Sequence, residues 1–91
     1  MNSELEAFLR EEGFYIWEDS HVAMKKITIC EHCGRYVTLE ILPDGDYRLW
    51  DERGYHDQTS VPKEYITKKV LTVSDAKRLI SFIRGDLGDY S

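Results

Sequence analysis

The sequence predicts an α+β fold: an antiparallel sheet of about four to five strands, with an N-terminal and a C-terminal helix packed on one face. Three observations predict it. Apolar residues recur at helical spacing near the two ends of the chain, at Leu5, Phe8 and Leu9 and again at Ala76, Leu79, Ile80 and Ile83. Between those ends the pattern changes to alternation, most clearly at Val37, Leu39 and Ile41. Pro43-Asp44-Gly45 follows that run with residues suited to reversing the chain. Each helix is apolar on one side only, so the simplest arrangement lays both on the same sheet face.

In chain order, Ser3 followed by Glu6 has the spacing of a capping box for the first helix. Gly13 ends that helix, and a left-handed glycine there would set Phe14 against Leu9 in a Schellman turn. Residues 14–18 are aromatic and β-branched, a strand closed by the turn residues Asp19 and Ser20. The run 21–29 is a second strand, with a bulge or bend expected where Lys25-Lys26 interrupts the alternation. After the hairpin formed by 36–41 and 46–51, the polar, aperiodic stretch 52–60 reads as a loop. Residues 61–71 read as one more strand, entered through Pro62. Thr72 with Asp75 caps the last helix, which Gly85 is expected to stop.

Ninety-one residues make a single domain over 1–91. No apolar run reaches the roughly 18 residues of a membrane span, and the N-terminus is acidic, which points to a cytoplasmic protein with no membrane role. Two cysteines three apart do not staple a small secreted fold, so the thiols are expected to be reduced. The net charge of −5 is concentrated in residues 1–20, where Glu4, Glu6, Glu11, Glu12, Glu18 and Asp19 face Arg10 alone. Lys63, Lys68, Lys69, Lys77, Arg78 and Arg84 gather toward the C-terminus, so the molecule is expected to be polarised.

Cys30-Glu31-His32-Cys33-Gly34 places two thiolates at metal-ligand spacing between two strands and resembles one half of a zinc-ribbon knuckle. That resemblance implies one structural zinc, with His56 as the leading further ligand and His21, Asp57 or the cysteines of a second chain as others. The alternative is a bare turn without a cofactor. A thiol redox role is disfavoured because Gly34 leads into a strand, whereas a reactive Cys-x-x-Cys draws its low pKa from a following helix. There is no glycine-rich phosphate loop, nucleophile elbow or paired-histidine motif, so no enzymatic activity is expected.

The aromatic supply exceeds what one face of so small a sheet can bury. Arg48, Trp50, Arg53 and Tyr55, with Asp51 and Glu52 between them and Asp44 and Asp46 just before, form the expected partner-binding set. Overall acidity opposes direct nucleic-acid binding. In size and acidity the chain is similar to bacterial and phage-encoded inhibitors of nucleic-acid-handling complexes, anti-CRISPR proteins among them. The absence of catalytic motifs, the single domain and the separated charged segments fit an inhibitor or regulator that binds a protein partner by occlusion, with carboxylates near Asp44 to Asp57 or on the first helix competing for a basic groove. A zinc-knuckle adaptor or nucleic-acid-binding module centred on Cys30 and Cys33 is the second expectation. Monomer and zinc-bridged homodimer are the corresponding states.

Overall fold

The computed structural model describes residues 1–30, 35–51, 54–56 and 63–86. Its elements are α1 (Ser3–Glu11), β1 (Tyr15–Ile16), β2 (Ala23–Cys30), β3 (Arg35–Ile41), β4 (Tyr47–Asp51), β5 (Gly54–His56), α2 (Lys63–Ile66) and α3 (Val73–Asp86). The five strands lie side by side in chain order, and every neighbouring pair is antiparallel. The α+β architecture is therefore as the sequence predicts.

Alternation decides which sheet face becomes core. Ala23 and Ile27 on β2, Val37, Leu39 and Ile41 on β3, and Tyr47 and Leu49 on β4 are all buried. Against them pack Leu5 and Leu9 from α1 and Ala76, Leu79, Ile80 and Ile83 from α3. Burying a side chain of this size stabilises the fold by about 1.5–3 kcal/mol relative to leaving it in water. Both helices are thus spent on one sheet face.

The first helix ends as its sequence requires. Gly13 has φ +96°, its N–H donates to the Arg10 carbonyl (3.1 Å), and the Phe14 N–H donates to the Leu9 carbonyl (2.9 Å). That pair of bonds is the Schellman motif. The start lies one residue earlier than the capping box suggests: Asn2 is the cap, its Oδ1 accepting from the Leu5 N–H at 2.8 Å, and Ser3 is already helical. Asparagine is as good a cap as serine, and here its Nδ2 also donates to the Leu71 carbonyl (2.9 Å). A tertiary contact thus selects between two locally equivalent caps.

The irregularity in the second strand is not at Lys25-Lys26. Register is continuous from Ala23 to Thr28 and shifts between Thr28 and Cys30. Lys25 fits the core-side alternation because its stem lies along apolar surface while its ammonium leaves at the rim. Its Nζ donates to the Glu12 carbonyl and lies 5.9 Å from the centre of the Phe14 ring. A cation there also meets the negative end of α1.

The β3–β4 hairpin carries a three-residue connection, in which the Leu42 N–H donates to the Asp46 carbonyl (2.7 Å) and the Gly45 N–H to the Leu42 carbonyl (2.9 Å). Gly45 takes φ +97°, as the left-handed position of such a loop demands. Beyond it, two expectations are corrected. The stretch 52–60, read as a loop, contains strand β5, with Trp50 paired to Tyr55 and Leu49 to His56. The stretch 61–71, read as a strand, contains the single helical turn α2, and residues 67–72 are irregular. Tyr65 and Val70 are both buried, and their separation of five is odd, so strand alternation would have sent them to opposite faces. Pro62 lies outside the described residues.

Segment 67–72 closes over the hairpin turn instead. The Val70 N–H donates to the Gly45 carbonyl (2.8 Å), and the Tyr47 hydroxyl donates to the Tyr65 carbonyl (2.5 Å). The cap of α3 follows as predicted. The Asp75 N–H donates to Thr72 Oγ1 (3.1 Å), while Asp75 Oδ2 accepts from the N–H groups of Thr72 and Leu71 (3.2 Å each). Gly85 does not stop this helix, which continues through Asp86.

Asp75 is buried and pairs with Lys68 at 2.9 Å. Burial alone would raise its pKa. Lys68, with Leu71 and Thr72, outweighs burial and holds the carboxyl below its ordinary value. A carboxyl depressed in the folded state adds stability above its unfolded pKa of about 3.9 and loses it as pH falls through the folded value. Asp75→Asn is therefore expected to lower stability by about 1–3 kcal/mol at neutral pH, with the deficit shrinking below about pH 4. Urea midpoints for both proteins across that range check this, and a deficit independent of pH would contradict it.

Candidate functional site

The uncovered face of the sheet collects the polar half of each alternation. Tyr15, Met24, Glu40 and Arg48 form one row across β1 to β4. Lys26, Thr38 and Trp50 form the next across β2 to β4, and Trp50 is in register with Tyr55 of β5. Lys26 stands over the ring of Tyr36, its Nζ 4.3 Å from the centre, and Arg48 lies 3.6 Å from Glu40. Arg48, Trp50 and Tyr55, three of the residues expected to bind a partner, thus share neighbouring register positions on two strands.

The described acidic members of that set lie at the two ends of β4. Asp44 and Asp46 sit at the β3–β4 turn, where Lys69 lies 3.7 Å from one and 3.4 Å from the other. Asp44 Oδ1 accepts from the Asp46 N–H at 3.0 Å. That bond first, and Lys69 after it, outweigh a small desolvation and hold the Asp44 carboxyl below the ordinary aspartate value. Asp51 ends β4, paired with Val37 and Gly54. Glu52 and Arg53 lie outside the described residues.

The register does not bring Cys30 and His56 together. Cys30 ends β2 opposite Arg35, whereas His56 pairs with Leu49, which pairs with Leu39 and through it with Lys25. Three strand spacings and five residues along β2 separate the two backbones by on the order of 20 Å. Cys33 and Asp57 lie outside the described residues. His21 is engaged elsewhere, its Nδ1 2.9 Å from Glu6 Oε1. Among the described residues no group of three histidine, cysteine, aspartate or glutamate side chains could hold a metal ion.

A different cluster emerges at the β1 edge. Among the described residues Tyr15 and Trp17 carry exposed rings, 63% and 37% accessible, and they meet edge to face with centres 4.7 Å apart and planes at 80°. They border a groove of about 440 Å³ shared with Arg10, Phe14, Glu18 and Asp19. Glu4, Glu11, Glu18 and Asp19 are exposed, and none of them forms an ion pair among the described residues. Glu6 and Glu12 are engaged, with His21 and with Arg84 at 3.9 Å. The sequence carries part of the signal: Tyr15 and Trp17 are two apart and are followed at once by two carboxylates.

No helix among the described residues is long and apolar enough to cross a membrane. Comparison with protein-family models, with curated proteins and with solved structures finds no match in any of the three.

Proposed function

We propose that the protein is a non-catalytic protein-binding domain, an inhibitor or regulator of a nucleic-acid-handling complex, which acts by occluding a basic surface of its partner. One observation carries the reading: four exposed carboxylates of α1 and the β1–β2 connection have no cation beside them among the described residues. Asp44, Asp46 and Asp75 each have a lysine within 4 Å, whereas Glu4, Glu11, Glu18 and Asp19 are exposed and form no ion pair among the described residues. The contact edge is therefore α1 with the β1–β2 connection, in preference to the hairpin turn.

Glu11 sharpens the point. It lies at the C-terminal end of α1, where the helix dipole disfavours a negative charge by about 0.3–1 kcal/mol. Helix stability does not account for it. Charge held against local preference is what a surface selected for binding carries.

Reversing Glu11, Glu18 and Asp19 to lysine is expected to abolish capture of a basic protein from bacterial lysate, with little change in melting temperature. Reversing Asp44 and Asp46 is expected to weaken capture much less. Raising salt should release the wild-type complex, because exposed charge pairs are screened over about 8 Å at physiological ionic strength. Should reversal of Lys68, Lys69, Lys77 and Arg78 prove the damaging change, with nucleic acid in the wild-type eluate, the acidic-edge reading falls.

A further inference from the structure

We infer that the corner formed by Tyr15 and Trp17 is a binding site for a guanidinium group, presented by an arginine in a basic segment of a protein partner. The inference rests on the acidic-edge reading above and names the side chain which that edge receives.

The geometry is that of a cation receptor. A ring attracts a cation over its face, and tryptophan does so best among the aromatic side chains. In a perpendicular pair neither ring can cover both faces of the other, and exposures of 63% and 37% leave ring surface open to solvent. Glu18 and Asp19 border the same groove, are exposed, and form no ion pair among the described residues. Arg10 lines the groove as well, and the two carboxylates outnumber it. A planar guanidinium suits both elements at once, since it stacks flat on an indole while its N–H fork pairs with a carboxylate. A lysine ammonium is a compact, strongly hydrated charge and gains less from the ring.

The corner is also held in place before any ligand arrives. The Trp17 N–H donates to the Val22 carbonyl (3.0 Å), and the Trp17 carbonyl accepts from the His21 N–H (2.7 Å). His21 takes a left-handed φ of +55° and meets Glu6 on α1 at 2.9 Å, which ties the connection to the helix. Binding then orders few groups, and the attraction is not consumed by loop ordering.

The test uses the full chain, labelled with ¹⁵N, titrated with three short peptides identical but for one residue: arginine, lysine, or citrulline, the neutral isostere of arginine. The arginine peptide should shift the Trp17 indole N–H resonance, assigned by comparison with Trp50→Phe. It should bind about tenfold more weakly to Trp17→Ala. Glu18→Gln with Asp19→Asn leaves the rings intact and should weaken binding comparably. The citrulline peptide should produce no shift at Trp17.

Equal binding by the arginine and lysine peptides would overturn the guanidinium assignment. Unchanged affinity in Trp17→Ala, with binding still abolished by Glu11→Lys, would overturn the corner and leave the acidic edge standing. Absence of binding by either cationic peptide to any form of the chain would overturn both together.

Discussion

Leu79→Ala is expected to destabilise the protein by about 2–5 kcal/mol, as a large-to-small change does at a fully buried position. Leu79 is inaccessible to solvent and belongs to the apolar stripe of α3 that faces the sheet, between Ala76 and Ile83. A chain of this length holds a total stability of only about 5–14 kcal/mol, so the loss is a large share of it. Leu79→Asp should leave no folded population at neutral pH, since an unpaired carboxylate has no partner at that depth. Phe82 supplies the contrast. It is half-buried beside the core, its ring 5.3 Å from Tyr65 in an edge-to-face contact. Phe82→Ala should cost visibly less than Leu79→Ala. Chemical denaturation of the three variants checks the ranking, and equal losses at 79 and 82 would mean that α3 is rotated about its axis.

Gly45→Ala should be the most damaging single-methyl addition on the surface side of the fold. The backbone there has φ +97°, where a side chain costs about 1–2 kcal/mol. Space adds to the penalty. A Cβ on Gly45 would lie 2.6 Å from Leu71 Cδ2, 3.0 Å from Lys69 Cβ and 3.3 Å from the Val70 carbonyl oxygen. Leu71 is exposed and can swing away, but Lys69 Cβ and the Val70 carbonyl move only with their backbone, which the Val70 N–H bond to Gly45 holds in place. Gly13 is the natural control. Its φ is +96°, and its added Cβ would meet nothing nearer than the flexible end of Lys25 at 3.6 Å. Gly45→Ala should therefore lower the melting temperature by about twice as much as Gly13→Ala, with each kcal/mol worth about 4–8 °C in a domain of this size. Equal shifts would show that closure of segment 67–72 over the turn adds nothing.

How far the sequence could be read depended on whether the deciding interactions were local. The Schellman end of α1, the reciprocal Thr72–Asp75 cap and the buried stripe of α3 each rest on residues within a few positions of one another, and all three were legible. So was the alternation of Val37, Leu39 and Ile41. Asn2 displaced Ser3 as the first cap because its amide reaches Leu71, which lies 69 residues away. Lys25 was read as a break in β2 because a lysine on a core face looks out of place. What reconciles it is the end of α1, which no local pattern reveals. Segment 61–71 misled for the same reason. Its apolar residues are β-branched and aromatic, and only their docking against the hairpin turn and α3 shows that a strand period is absent.

The candidate site divides along similar lines. Arg48, Trp50 and Tyr55 come together because β4 and β5 are adjacent in the chain, and proximity in sequence became proximity across one hairpin. Asp44 and Asp46 share Lys69, a residue more than 20 positions on, as an exposed partner that no local pattern reveals. Tyr15 lies in a strand of two residues and Trp17 just past its end, so their meeting rests on the connection that holds Trp17 and not on a strand alternation.

The sheet places its long strands inside and its short ones outside. β2, β3 and β4 span eight, seven and five residues, while the outermost strands β1 and β5 span two and three. A foreign strand can be templated only by backbone groups left unpaired at an outer edge, and a ladder of two or three residues is too brief to hold one. The apolar, β-branched run Val37 to Ile41 already has both flanks occupied, by β2 and by β4, whereas Ile27 pairs only with β3 because β1 ends opposite Ala23 and Met24. Strand length thus protects the centre of the sheet, and on the flank of β2 that β1 leaves uncovered the next residues are Lys25 and Lys26, charges that oppose pairing with a foreign strand.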